Sequence, residues 1–422
     1  MVRARRQAAE RFEACELPTE SEEVWRYSRI AELGLDRFAP AGSSSGSEVP
    51  AWLLAALDLV GPSAVTVFGD GVGTSGVDIS EAGSGITVSR LSEVPFGADL
   101  IEAQPPARDC FVEMSRAFCA DPLVVDVPPG VTLDRPIVIL HWIDSADQEG
   151  LAPAVFPRTI VHLGAGSSAQ VLEIMASSAA KVLVVPEVLV SVDESARADY
   201  VSLQLLGPNA WQLATHTHKV AAQGSLRSFS MSLGGDYARL STDSALVGPG
   251  ADSKLLAGYF ARGGQVLDFR TRQEHEAPFS TSDLLFKGAV AGKARSVYTG
   301  LIHIKNGARG SNAFQTNRNI VLSEGAHADS VPNLDIEEND VRCSHASAVG
   351  PLDPEQLYYL ETRGIPTELA RRLVVMGFFR DVTERNPIGG LRGFLDDAVA
   401  TRLGEARGEN VASMESALAG GE

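Results

Sequence analysis

Between positions 110 and 350 the chain repeats one small event: a run of about four to eight apolar and β-branched residues, then a corner of glycine, alanine, serine or aspartate. Gly292-Lys293-Ala294-Arg295-Ser296, Gly307-Ala308-Arg309-Gly310-Ser311, Gly325-Ala326-His327-Ala328-Asp329 and Asp340-Val341-Arg342-Cys343-Ser344 are versions of one corner. Their first positions, 292, 307, 325 and 340, lie 15, 18 and 15 residues apart, and looser versions stand near Gly166, Gly224 and Gly250. Almost no helical period interrupts the pattern. A unit this short cannot bury an apolar face by itself, whereas stacked copies can, and small corner residues let successive turns approach closely. The expectation is a mainly β chain built around a β-solenoid.

The flanks read differently. Thr19 with Glu22 three residues on has the form of a capping box, and Val24, Trp25, Ile30 and Leu33 supply a partial apolar stripe, so the first forty residues are expected to be helical. Met1 and the arginines up to Arg6 are followed by Glu10, Glu13 and Glu16 instead of an apolar stretch; this segment reads as the start of a helix, not as a secretory signal. A low-complexity break, Ala39-Pro40-Ala41-Gly42-Ser43-Ser44-Ser45-Gly46, marks a linker over about 39–50. Beyond it, a helix over 52–59 and strand alternation at 65–68 and 86–88 predict a small α/β cap. After Gly350 the helical period returns. Asp353 caps a helix with Pro354 at its first position, Gly364 stops it, Ile365-Pro366 starts another with Leu369, Leu373, Val374, Phe378 and Val382 as its stripe, and a third covers 391–403. The resulting division is a helical and small α/β region over 1–107, a β core over 108–350, a helical domain over 351–405 and a flexible tail over 406–422.

Composition excludes several classes. Of 422 residues, 44% are hydrophobic, enough for a sizeable core, and 54 acidic against 36 basic residues leave a formal charge of -18, which repels nucleic acid and anionic lipid. Four scattered cysteines, Cys15, Cys110, Cys119 and Cys343, form neither a disulfide framework nor a CxxC pair, which fits a reducing cytoplasm. The longest apolar run, near 182–192, is broken by Pro186 and Glu187 and is too short for a bilayer span, so no membrane association is expected.

Among motifs, Gly71-Val72-Gly73-Thr74-Ser75-Gly76 matches GxGxxG, but Val77-Asp78-Ile79-Ser80 continues in strand alternation, and no helix can begin there to face a pyrophosphate. Thr215-His216-Thr217-His218 would put two imidazoles on one strand face, yet spacing identifies no third ligand, and surface or stacked strand histidines are the simpler reading. Cys343-Ser344-His345 is again an i, i+2 pair, here joining a thiol to an imidazole, donor types that suit iron, zinc and iron-sulfur species. Two donors leave coordination incomplete. The pair is either half of a site completed by another subunit or a buried free cysteine beside a satisfied histidine. No GxSxG, HExxH or Walker A lysine is present, and Asp335, Glu337, Glu338 and Asp340 read as an exposed turn more than as a hydrolase's carboxylate ladder.

The C-terminal third then resembles a known family. Val331-Pro332-Asn333-Leu334-Asp335-Ile336, Asp340-Val341-Arg342-Cys343-Ser344-His345, Leu352-Asp353 and Leu357-Tyr358-Tyr359-Leu360-Glu361-Thr362-Arg363-Gly364-Ile365-Pro366 together are similar to the core of the SufB/SufD family of the SUF iron-sulfur cluster assembly system. Weaker agreement reaches back through Asp268 to His275, Ser280, Lys287, Gly300 and Gln315, and Glu23-Val24-Trp25-Arg26-Tyr27 resembles the N-terminal helix of the SufD branch. The Cys-Ser-His form also resembles that branch, and the cysteine that SufB chains offer near Asn317-Arg318-Asn319 is missing here. Ala346-Ser347-Ala348 departs from the family's more usual Gly-Ala-Thr.

The resemblance implies a right-handed parallel β-helix with helical ends, serving as a non-catalytic scaffold subunit. It implies pairing with SufB through the β-helix and docking of the SufC ATPase through the C-terminal helices, at Leu357, Tyr358, Arg363, Gly364, Ile365, Leu373, Phe378 and Phe379, with a homodimer as a further state. It places Cys343 and His345 at the subunit junction as ligands for iron or a nascent cluster, implies no permanently bound cofactor, and admits a reduced flavin on the assembled complex. Two rival readings are a β-helical carbohydrate-active enzyme, for which no carboxylate groove is evident, and a SufB-like stand-alone scaffold, against which the missing cysteine argues.

Overall fold

The computed structural model describes residues 2–42, 48–69, 72–73, 85–145 and 149–406. Two long sheets, one of twelve strands and one of ten, face each other along the chain. Successive strands alternate between the sheets, and within each sheet every strand of the repeating part pairs in parallel with the strand one coil earlier. This is a parallel β-solenoid. In the ten-stranded sheet Asp252 pairs with Thr281, Thr281 with Asn312 and Asn312 with Arg342, offsets of 29, 31 and 30 residues per coil. The corner spacing visible in the sequence is therefore half a coil, because each turn has two similar corners. At one of these, Gly292 has φ of 72°, and a Cβ there would stand 3.1 Å from the backbone nitrogen of Gly263 in the coil below.

Alternate residues of each strand fill the lumen. Tyr259, Phe269, Phe286 and Tyr298, drawn from both sheets, interleave with centroid separations of 4.4 to 5.8 Å and are all buried. The outer face of the ten-stranded sheet carries a second core, Leu172, Val201, Phe229, Leu256 and Leu285, which is covered by α2 (Ala51–Asp58), α6 (Thr367–Thr383) and α7 (Leu391–Ala406).

Elsewhere α1 (Val2–Glu13) lies on α4 (Cys110–Phe118), α3 is Gly97–Glu102, and α5 is Pro354–Thr362. The α4 helix lies inside the stretch expected to lack helical period. Asp109 caps it through bonds to the Phe111 and Val112 amides, and burial of nearly every residue hides its periodicity. The expected helix around Trp25 is replaced by 3-10 turns over Glu23–Trp25, Ile30–Glu32 and Leu35–Arg37. Glu22 does accept from the Thr19 amide at 2.9 Å, but tertiary contacts then draw the chain flat across the twelve-stranded sheet. Arg239 donates to the Val24 carbonyl and stacks 3.7 Å over the Trp25 ring, while Arg270 donates to the Arg26 carbonyl.

The strands expected in the small α/β region are hydrogen-bonded into the solenoid itself. Ala64–Gly69 pairs in parallel with Ile137–Ile143 and is closed by an antiparallel contact with Val72–Gly73. Thr87–Arg90 pairs antiparallel with Leu123–Val127. Antiparallel caps thus terminate both sheets at this end. Of the GxGxxG stretch only Val72 and Gly73 are described; its other positions, much of the linker and the tail from 407 lie outside the described residues. Among the described residues no helix is long and apolar enough to cross a membrane.

Candidate functional site

At the opposite end of the solenoid no cap is present among the described residues. Its last strands are His327–Ile336 in one sheet and Arg342–Gly350 in the other, and among the described residues nothing continues the stack beyond them. Register assigns each side chain to a face. Cys343 stands over Ala313, His345 over Gln315, Ser347 over Asn317 and Val349 over Asn319, all on the inward row. From the other sheet Ser330 stands over Tyr298, Pro332 over Gly300, Leu334 over Ile302 and Ile336 over Ile304. The Ser347 hydroxyl donates to that of Ser330 at 2.8 Å and bridges the two rows. Leu334, Ile336 and Val349, whose equivalents one coil lower are buried, are 36%, 43% and 44% exposed. The mouth of the lumen is therefore an open core layer, apolar with a cysteine and a histidine in it.

Cys343 is half-buried and packs with Val341 against Ile302, Ile304, Ala308 and Ala313; burial pushes its thiol above the ordinary range. His345 is exposed at the rim. The acidic corner before them is structural. Glu338 accepts from the amides of Asn339 and of Gly307 in the coil below, and these backbone bonds hold its carboxyl below the ordinary range, while Glu337 accepts from the Asn306 amide. The carboxylates staple the final corner to its predecessor, which fixes the approach to Cys343.

The other histidine pair behaves as stacked strand residues. His216 and His218 share the inner face and are buried against Tyr200, 5.4 and 6.5 Å between ring centroids. Burial lowers their pKa values to about 4 and about 3, so both are neutral. Among the described residues no group of three or more His, Cys, Asp and Glu side chains is arranged to hold a metal by itself. That applies to Cys343 and His345 as well, which offer two donors and an open side.

The C-terminal helices present a second surface. Along α5 no residue is buried; Tyr358 and Tyr359 are 69% and 58% exposed, Arg363 and Gly364 are exposed, and Leu357 and Ile365 are half-buried. A groove of about 490 Å³ between α5 and α6 is lined by Asp353, Tyr359, Leu360, Leu373 and Val374. The α6 stripe differs from the expected one. Ala370, Val375, Phe379 and Val382 face the solenoid, leaving Leu369 and Leu373 in water. Phe379 stacks on Phe260 and is 1% exposed, so it is a core residue with no surface to offer a partner; Phe378 is half-buried beside it. α6 is apolar on two sides, and only packing decides which side is core.

Two participants were given no role from the sequence. One is Lys287, whose ammonium bonds the Phe378 carbonyl at 3.0 Å and Asp381 at 2.7 Å, tying α6 to the solenoid. The other is the inner half of the mouth contributed by Ser330, Leu334 and Ile336. One coil length separates Gln315 from His345, so a full-coil period would have exposed such stacking.

Comparison with known proteins fits these features. Residues 143–378 match the family model described as the SUF system FeS cluster assembly SufBD core domain. An iron-sulfur cluster assembly SufBD family protein of Mycobacterium tuberculosis is 40% identical over 220 residues, 50% of this chain and 55% of that one. The chain thus spans little more than half the length of the mycobacterial relatives it matches. The iron-sulfur cluster assembly protein SufD of Escherichia coli is 27% identical over 390 residues, 92% of this chain and 89% of that one. A SufBD family protein of Staphylococcus epidermidis is 26% identical over 304 residues.

Proposed function

We propose, since this chain belongs to the SufBD family of SUF-system iron-sulfur cluster assembly proteins, that it works as a scaffold subunit of the SufD type and not as an enzyme. Its open solenoid end pairs with the edge of a SufB-type partner, its α5–α6 surface docks a SufC-type ATPase, and iron or the nascent cluster passes through the junction as cargo.

One observation carries this reading: among the described residues, the solenoid is capped by antiparallel strands at one end and left as an exposed parallel edge at the other, with Cys343 and His345 in the uncovered layer. A bare edge of unpaired amides and carbonyls beside an apolar mouth is an aggregation hazard unless another chain covers it. A partner strand laid on Arg342–Gly350 would complete both the sheet and the core layer. It would also bring further donors to a thiol and an imidazole that cannot enclose a metal alone. The half-buried cysteine can lose its proton once cationic iron arrives, as thiols do on metal binding.

The α5–α6 surface supports the second contact. Exposed tyrosines and leucines, with Arg363 at the turn, have the composition of an interface core, whereas surface helices without partners keep such residues inside. Lys287 then makes α6 and the coil beneath it one mechanical unit.

The test is co-purification with SufB- and SufC-type partners followed by cluster reconstitution on the complex with His345→Ala. Retention of both partners with loss of iron and acid-labile sulfide is expected. A chain that ignores both partners would sink the scaffold reading, and unchanged iron and sulfide would remove the metal role of His345.

A further inference from the structure

The lumen directly beneath His345 holds an amide with nothing to bond. Gln315 is 1% exposed, yet neither its side-chain oxygen nor its nitrogen has a hydrogen-bond partner. Its neighbours on the same inward row are satisfied: Asn317 donates to the Tyr259 hydroxyl at 3.0 Å and Asn319 donates to Asn317 at 2.8 Å. Gln273, a coil lower, is also unpaired, but apolar Ile302 stands over it in register. Over Gln315 the next residue is His345.

The opposite wall is shaped for this amide. A Cβ at position 300 would lie 2.6 and 2.7 Å from the Gln315 amide atoms and 2.3 Å from the Tyr298 hydroxyl, so only glycine leaves the carboxamide room in the lumen. The Tyr298 hydroxyl is already engaged with Thr271 at 3.0 Å. Pro332, over Gly300, brings no amide proton to satisfy the Gln315 oxygen. The open side, where His345 sits exposed and without a hydrogen-bond partner among the described residues, is the remaining direction.

We propose that Gln315 is a positioning residue for His345: its carboxamide oxygen accepts the N–H of one imidazole nitrogen, which fixes the tautomer and turns the other nitrogen, with its lone pair, out of the lumen toward the junction. Metal-binding histidines use an acceptor on the second nitrogen in this way, and the acceptor decides which nitrogen is free. An amide is suited to the place because it is neutral at every pH and fits the buried lumen where a carboxylate would need a counter-charge. The inference rests on the reading of His345 as an iron or cluster ligand, but its first readout needs no metal.

The experiment is long-range 15N–1H correlation on the full chain labelled with 15N-histidine, with the His345 signals identified by their loss in His345→Ala. Wild-type protein is expected to hold His345 in one tautomer. Gln315→Leu should return it to the mixture of free imidazole, and circular dichroism should report the same fold as wild type. Ferrous-ion affinity of the complex with its SufB-type partner should fall roughly tenfold or more in Gln315→Leu. His345 signals that are identical in wild type and a folded Gln315→Leu overturn the proposal, whatever the cluster assays give. If the tautomer responds but His345→Ala leaves iron and sulfide unchanged, the pairing stands and the ligand reading falls.

Discussion

Lys287 Nζ lies 2.7 Å from Asp381 Oδ2, joining a solenoid strand to α6 through an ammonium that is almost wholly buried. The same nitrogen bonds the Phe378 carbonyl and sits 4.7 Å from the centre of the Phe378 ring. The Lys287 hydrogen bond holds the Asp381 carboxyl below the ordinary carboxylate range. Asp381→Asn strips the partner from a buried cation, whereas Lys287→Met keeps the packing and needs no partner. The first should cost about 1–3 kcal/mol, less than a fully buried pair because Asp381 stands nearly half in water, and the second should cost less. Thermal unfolding of the two variants decides it; a larger loss in Lys287→Met would show that the stem and not the charge matters.

Asp268 is buried between Arg239 at 2.8 Å and Arg270 at 2.6 Å and accepts from the Tyr237 hydroxyl at 2.9 Å. Burial pushes its pKa up, but the two guanidinium groups outweigh this and leave it below the ordinary value. A depressed carboxyl contributes stability above its unfolded pKa and loses it as pH falls through the folded value, so the contribution persists at neutral pH and fades only in strong acid. Asp268→Asn leaves two buried arginines short of a charge and should cost about 3–5 kcal/mol. Since those arginines also hold the Val24 and Arg26 carbonyls, Trp25 fluorescence should shift red before global unfolding in denaturant. Coincident transitions would refute the idea that this network pins the N-terminal segment.

Leu334 and Val349 point into the mouth and are already partly wet, so Leu334→Glu with Val349→Glu should change the stability of the isolated chain little, about 0.5 kcal/mol or less for each site. Association with a SufB-type partner should fall at least tenfold, read by size-exclusion chromatography of the mixture. Unimpaired association would mean that the partner docks elsewhere.

Cys343 should alkylate slowly at pH 7.5 in the free chain, since burial raises its pKa and only the thiolate reacts. Its rate should climb steeply as pH rises into the alkaline range and should be suppressed when the junction is covered. Mass spectrometry of iodoacetamide-labelled peptides measures both; fast labelling of the free chain at neutral pH would overturn the expectation.

The half-coil corners, the capped start of α5 at Asp353 and the i, i+2 placement of Cys343 and His345 were legible because each depends on neighbours within a few residues. The turn around Trp25 and the buried side of α6 were not. In both places local propensity admits more than one outcome, and contacts with Arg239, Arg270, Phe260 and Lys287, all distant in the chain, choose between them. Val374 and Val375 are equally apolar, and no local rule says which of them meets the sheet.

By itself the sequence determined that this chain must stack: its period, its corners and its alternating apolar residues have no other way to leave water. Only the tertiary structure decided where the stacking stops. Whether an end is closed depends on which strand finds a partner across the fold, and that left Cys343 and His345 in an uncovered layer above Gln315.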